Sequence, residues 1–318
     1  MRLPPARSSY LGWLARAILA RPAADIAAVS GDDVLGYATG YDAADIAPFV
    51  RSLRAVFDGS VALVVDDRPE LKAFLAEHDV LAIHPEASPG WRPHAVMQRF
   101  AAFDRLLGQW PDARYVLLTD VRDVIFQAAP FEPAPTRLET FVEFEDGVLG
   151  DHAFNMKYLR AVGGDGLAEA VSDRTCVCVG TVMGPRDAVM RFCRTLLMLA
   201  AIPRSEMGGA FGADQAACNL AIHLGLVEAD VRPNYGRVAT LGLSRGVSLA
   251  FRDGRVINPD GSWSSIVHQH DRHTALATAV HARWGVGLDH RERVQPKSAT
   301  DRLAKLMSSI RRRTPAMR

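Results

Sequence analysis

The segment "RYVLLTDVRDVIFQ" sets Asp120, Arg122 and Asp123 between two apolar runs, residues 115–118 and 124–126. Charges are costly inside a buried run, so these acids need partners. Two carboxylates three residues apart at the end of a buried strand suit a hard divalent cation. Mg²⁺ and Mn²⁺ prefer oxygen ligands and often combine one or two carboxylates with phosphate oxygens. A helix cap, or a salt bridge with Arg122, is the simpler account of the same residues. A second candidate is "FGADQAACN", where Asp214 and Gln215 open a helix behind Gly208, Gly209 and Gly212. An acid in a first turn is favoured by the helix dipole alone, while the glycines let the backbone approach a ligand. A third is "IVHQHDRH", in which strand alternation puts His268 and His270 on one face and His273 in the loop beyond. Imidazoles there can complete a metal site or simply lie at a polar strand end.

Two further patterns point elsewhere and carry less. Cys176 and Cys178 share one side of a strand, and Cys193 and Cys218 could complete a zinc set; core thiols are the commoner outcome. "GLSRG" (242–246) has the spacing of a nucleophile elbow, with Asp271 and His273 following in the order of a triad. The elbow needs a strand before and a helix after, and a hairpin pattern follows instead. Neither a Walker A run nor G-x-G-x-x-G occurs, which argues against a nucleotide cradled on a Gly-rich helix start.

The elements that must position these residues alternate. "DVLGYATGY" (33–41), "VALVVDD" (61–67), "VLAIH" (80–84) and "RYVLLTD" (114–120) read as strands, nearly all apolar. Helical spacing separates them at 45–57, 68–78 and 94–110, with Pro69 in a first turn and Pro111 as a stop. Apolar strands alternating with helices predict a parallel sheet covered on both faces. Ligands of such sheets sit outside the carboxyl ends of the strands. Asp66, Asp67, Asp120 and Asp123 all fall at such ends, so one acidic rim is expected. Beyond residue 127 the pattern becomes mixed: strands at 140–146 and 175–184, helices at 185–201 and from 213, a hairpin about Asp253 and Gly254, and a strand from 264.

Taken in order, these segments resemble a GT-A-type glycosyltransferase of the nucleotide-diphospho-sugar transferase superfamily. "RYVLLTDVRDVIFQ" is similar to that family's apolar–D-x-D–apolar stretch, and "CVCVGTVMG" to the Gly-rich strand after it. "GADQAACN" is similar to its Asp-Gln helix start, and "IVHQHDRH" to the late histidine that adds a metal ligand. The resemblance covers roughly residues 33–275, with one departure: D-x-x-D replaces D-x-D, leaving Val121 at the first position if Asp123 is the second acid. It implies an α/β fold with a Rossmann-like mixed sheet flanked by helices, one catalytic domain over 33–285, an N-terminal amphipathic helix over 1–32 and a basic tail over 286–318. It implies Mn²⁺ or Mg²⁺ held by Asp120, Asp123 and His268, Asp123 being the safer ligand and Asp120 a ligand or a ribose contact. Ala38, Thr39 and Tyr41, with Asp66, Arg99, Asp120 and Arg122, would hold a UDP- or GDP-linked sugar. Gly180 and Thr181 would face the acceptor. Asp214 and Gln215 would be catalytic, Asp214 as general base if configuration inverts and as stabiliser if it is retained. A sugar-nucleotide nucleotidyltransferase, or a non-catalytic nucleotide-sugar-binding module, is the alternative.

Composition bounds these readings. The 318 residues are 48% hydrophobic and 23% charged, which is globular. A net charge of +1 gives no nucleic-acid footprint. Four cysteines suit a reducing compartment, and no apolar run reaches the roughly 18–20 residues of a membrane span. A cytoplasmic enzyme is expected. From Gln295 onward, however, Lys297, Arg302, Lys305, Arg311, Arg312, Arg313 and Arg318 face Asp301 alone. With Leu303, Leu306, Met307 and Ile310 at helical spacing, that tail could lie on the anionic inner face of a membrane, near a glycan or lipid-linked acceptor; a solvated tail is the plainer reading.

Overall fold

The computed structural model describes residues 5–19, 31–85, 90–202 and 206–286; the basic tail lies outside them. In α1 (Pro5–Leu19), Tyr10, Trp13, Leu14 and Ala17 are buried, the i, i+3, i+4, i+7 set of a single helix face. That face lies one residue away from the Leu11–Leu14–Ile18 stripe that spacing suggests, and Ile18 is exposed. The aromatic rings decide the rotation, because Tyr10 and Trp13 stack edge to face and carry more area than Ile18.

The expected alternation follows in β1 (Gly31–Tyr37), α2 (Ala43–Arg54), β2 (Ser60–Val64), α3 (Pro69–Glu77), β3 (Leu81–Ile83), α4 (Ala95–Gln109) and β4 (Ala113–Thr119). Local chemistry sets the helix starts. Asp42 and Asp45 form a reciprocal capping box at α2, and Pro69 opens α3. The four strands are parallel in the order β3-β2-β1-β4. The chain therefore builds outward from β1 to β3, then returns to place β4 on the other side of β1. The carboxyl ends of β1 and β4 flank the point where the order reverses, where ligand crevices open in such sheets.

Beyond β4 the chain turns at residues 120–123, and β5 (Val124–Phe126) leaves for a second sheet. Then come β6 (Leu138–Val142), α5 (Ala153–Ala170, kinked at Gly164), β7 (Val177–Pro185), α6 (Arg186–Leu199), α7 (Ala213–His223), β8 (Ala229–Arg232), β9 (Val238–Thr240), the β10–β11 hairpin (Ala250–Arg252, Arg255–Ile257), β12 (Ile266–His268) and α8 (Thr274–Trp284). β7 runs antiparallel between β4 and β6, and β8 closes the seven-stranded mixed sheet beside β6. β6 therefore points the same way as β1 and β4. The second sheet, β5-β12-β9, registers His268 opposite Val124. Among the described residues no helix is long and apolar enough to cross a membrane.

One buried acid has no role at the site. The carboxylate of Asp33, in β1, is buried, with the Ser60 side chain as its weak hydrogen-bonding neighbour. Burial, reinforced by Asp32 and opposed by Ser60, pushes its carboxyl up to about 6. An acid whose native pKa is raised contributes full stability below its unfolded value, near 3.8, and loses it as pH rises through about 6. Asp33→Asn should therefore stabilise the protein by about 1–3 kcal/mol at pH ~8 and change little at pH ~4. Urea midpoints at the two pH values check this, and an equal change at both would refute it.

Candidate active site

The turn after β4 explains why D-x-x-D works in place of a tighter spacing. Val121 is buried and packs on Gly36 of β1, where any Cβ would collide with it. With that side chain in the core, the turn carries both Asp120 and Asp123 to the cavity side. The Asp120 N–H donates to the Gly180 carbonyl of β7 at 2.7 Å, and the Gln269 N–H donates to the Asp123 carbonyl at 2.8 Å. Each acid is thus tied through its backbone to the strand or loop that faces it.

His268 closes the group. Its Nε2 lies 3.4 Å from Asp120 Oδ2 and 3.8 Å from Asp123 Oδ1. Its Nδ1 meets Cys178 Sγ at 3.6 Å, which leaves Nε2 for the acids. That nitrogen is buried, and the Asp120 carboxylate is its nearest partner. One ligand atom from each of the three residues lies within 4.8 Å of the others. A Cβ on Gly180 would stand 2.8 Å from both Asp120 Oδ2 and His268 Nε2, so glycine keeps the space between them open. One imidazole nitrogen and two carboxylates gathered around that space could hold a metal ion.

The electrostatics agree. Burial disfavours charge on His268, yet Cys178, Asp123 and Asp120 together hold its pKa well above the ordinary value. Burial also opposes ionisation of Asp120, but Arg99 and then His268 outweigh it and hold the carboxyl below its usual range. Asp123 is pushed up, first by burial and then by Asp120 and Asp271, against His268 and Arg122.

Arg99 stands behind the group. This buried guanidinium of α4 binds Asp120 Oδ1 through Nη1 and Asp214 Oδ2 through Nη2, the latter at 2.9 Å. Asp214 is raised to about 6 by burial, Arg99 opposing and Asp120 reinforcing the shift. Gln215 lines the same cavity, but its amide is already engaged. Nε2 donates to the Val177 carbonyl at 2.8 Å and to Glu143 Oε2 at 3.0 Å, and Oε1 accepts from the Val179 N–H. It braces β7 where that strand's register shifts.

One cavity of about 610 Å³ gathers most of the residues singled out in the sequence. Thr39 and Tyr41 line it from the end of β1, joined by Tyr37; Arg99, Asp120, Arg122, Asp123, Gly180, Asp214, Gln215 and His268 line the rest. Three expected residues do not. Ala38 is buried, its N–H donating to the Val64 carbonyl. Thr181 is buried inside β7 opposite Thr119. Asp66 accepts the Gly40 N–H at 2.6 Å, so it shapes the loop after β1 from outside the cavity. Asp67 pairs with Lys72 at the surface, and no continuous acidic rim forms. Arg122 pairs with Asp271 at 2.9 Å, not with either acid of its own turn.

The competing motifs fall away. Ser244 shares a hydrogen bond with the Tyr235 hydroxyl, while His273 Nε2 contacts the Leu241 carbonyl, so no triad assembles. Among the described residues only Asp120, Asp123 and His268 form a metal-ligand cluster; the cysteines do not. The cavity also contains residues that sequence reading passed over: His94, Glu143, His152, Phe154 and Phe211. Glu143 carried a usable signal. It stands at the carboxyl end of a buried strand, as Asp120 does.

No protein-family model matches the chain, and no curated protein sequence does either. The functional reading therefore rests on fold and geometry. Chemically, the site offers a carboxylate–imidazole group that could hold a metal ion, at the mouth of a switch-point crevice, with tyrosines on one flank and a carboxylate–aromatic wall on the other.

Proposed function

We propose that this protein is a metal-dependent glycosyltransferase that takes a sugar from a nucleotide-diphospho-sugar donor to a hydroxyl acceptor. The observation carrying the reading is the set Asp120, Asp123 and His268, held around Gly180 where the sheet order reverses. A crevice at that point suits a nucleotide, and a carboxylate–imidazole cation site suits its diphosphate. When bound, Mn²⁺ or Mg²⁺ supplies Lewis-acid stabilisation of the charge that develops on the leaving diphosphate.

The chain's own residues have separable tasks. Tyr37, Thr39 and Tyr41 receive the nucleoside at the end of β1. Asp120, Asp123 and His268 hold the cation. Arg122 and Arg272, both half-exposed on the cavity wall, draw in the anionic donor. Arg99 fixes Asp120 and Asp214 together, so Asp214 stabilises and orients the floor of the site. The acceptor is a glycan or lipid-linked glycan.

Thermal denaturation with UDP-, GDP-, CMP- and dTDP-sugars, each with Mn²⁺ or EDTA, tests the reading. Ligand at 100 times its Kd stabilises by about 2.7 kcal/mol, so one nucleotide class should raise the Tm in Mn²⁺ and not in EDTA. No shift with any donor would overturn the proposal. A shift without sugar release or transfer to any acceptor would reduce the protein to a binding module.

A further inference from the structure

The cavity has a second wall, opposite the nucleoside flank, that the donor and its cation leave unused. Strand order locates it. β1, β4 and β6 run the same way, so Thr39, Asp120 and Glu143 emerge at one edge of the sheet. β7 lies between β4 and β6, which sets Glu143 two strand spacings, about 10 Å, beyond the metal ligands. The order along the edge is nucleoside loop, cation site, Glu143.

Glu143 is anchored by one oxygen only. Oε2 accepts from Gln215 Nε2 at 3.0 Å and from the Cys176 thiol at 3.1 Å. Among the described residues Oε1 has no hydrogen-bond partner, and the residue is half-buried in the cavity wall. Next to it, His152 lines the same wall and leaves its Nδ1 buried without a partner.

Aromatic rings stand around these polar groups. Phe154 and Phe211 are 41% and 55% exposed although both line the cavity. Their centroids are 6.2 Å apart, and Phe211 also meets the His94 ring at 5.4 Å. The rings come from three separate places: the start of α5, the loop before α7 and the cap of α4. Gly212, at φ +90°, turns the chain under Phe211 where a Cβ would strike the rings of Tyr158 and Phe154. Leaving two phenylalanines this exposed forfeits burial energy that a core position would gain.

A pyranose ring has an apolar C–H face and a hydroxylated rim. Aromatic rings beside a carboxylate with one unengaged oxygen, on a wall that also carries an imidazole, match both at once. We infer that Glu143, His152, Phe154 and Phe211 form the acceptor subsite and that the acceptor presents a sugar ring: the ring stacks on the face of one phenylalanine while the other stands edge-on beside it, and its reacting hydroxyl donates to Glu143 Oε1. This rests on the glycosyltransferase reading for the word acceptor, but the subsite binds a sugar by its own chemistry.

Saturation-transfer NMR with the methyl glycosides of glucose, galactose, mannose and N-acetylglucosamine tests it on the full chain with Mn²⁺ and the nucleoside diphosphate. At least one glycoside should give a transfer signal with wild type. Glu143→Gln keeps the shape but turns an amide N–H₂ toward the hydroxyl, since the Gln215 amide and the Cys176 thiol both donate to its fixed oxygen; glycoside affinity should fall at least tenfold. Phe154→Ala and Phe211→Ala should each do the same. All three variants should keep the metal-dependent thermal shift with donor, which also shows that they fold. A metal-dependent donor shift with no glycoside signal, or with a signal unchanged in the variants, overturns the subsite alone. If the wild-type chain binds a glycoside but no nucleotide sugar, and the variants no longer bind the glycoside, the subsite stands and the donor reading falls.

Discussion

Replacing Asp123 by alanine is expected to abolish the Mn²⁺-dependent part of donor binding and to lower transfer by about 10²–10³-fold, the scale of losing one preorganised electrostatic contact to a developing charge. The three candidate ligands are not equivalent. Asp120 is neutralised from behind by Arg99, and its carboxyl sits below the usual range for that reason. Asp123 has no guanidinium bound to it, because Arg122 is committed to Asp271, and its only close cationic neighbour among the described residues is His268, which it shares with Asp120. Burial and the neighbouring acids push its carboxyl up, so in the absence of a cation its charge destabilises the fold. Asp123→Ala should therefore denature at a higher temperature than wild type in EDTA, and at a lower one in Mn²⁺ with donor. That crossing separates loss of a ligand from loss of structure. A variant that still gains Tm from Mn²⁺ with donor would remove Asp123 from the cation site.

Replacing Arg99 should cost far more stability than any other single change at the site. Arg99→Ala leaves Asp120 and Asp214 buried without their cation, a loss of about 3–5 kcal/mol by analogy with broken buried pairs. The pH dependence gives the signature. Asp214 already has its carboxyl raised to about 6 with Arg99 in place. Without the guanidinium that value rises further, so the deficit should be largest at pH ~8 and shrink toward pH ~5, where the carboxyl binds a proton in the folded state. Arg99→Lys keeps the charge but not the two-pronged fork and should fall between. Adding Asp214→Asn to Arg99→Ala should recover part of the loss. Urea titrations of the four proteins at the two pH values measure this; a loss below about 1 kcal/mol for Arg99→Ala would show the network to be structurally idle.

How much of this is legible in the sequence varies by element. Periodicity and punctuation locate β1 to β4 and the helices between them, because each strand is a continuous apolar run and each helix has its own start or stop signal. They do not reveal that β5 leaves the sheet, since 124–126 is as apolar as 115–118 and the break lies in a four-residue turn. α5 escapes because Gly163, Gly164 and Gly166 weaken its helical signal, and the chain does kink at Gly164. β8 and β9, at four and three residues, are too short to show alternation.

The amino-acid sequence by itself determined which groups were available: two acids after one apolar strand, an Asp-Gln helix start behind glycines, a late histidine. These are local facts, written in residue type and spacing. Only the tertiary structure decided which of them meet. The antiparallel β5–β12 pairing registers His268 beside Asp123, and β7 sets Gly180 between them. Arg99, 21 residues before one of its acids and 115 before the other, joins both because α4 and α7 pack on the same sheet face. Asp66 and Thr181 had the right types at plausible positions and were turned away from the cavity. Glu143 had a plain strand-end position and became part of its wall because β6 runs parallel to β4. Pairing register and strand order are long-range choices made by burial, and no window of sequence contains them.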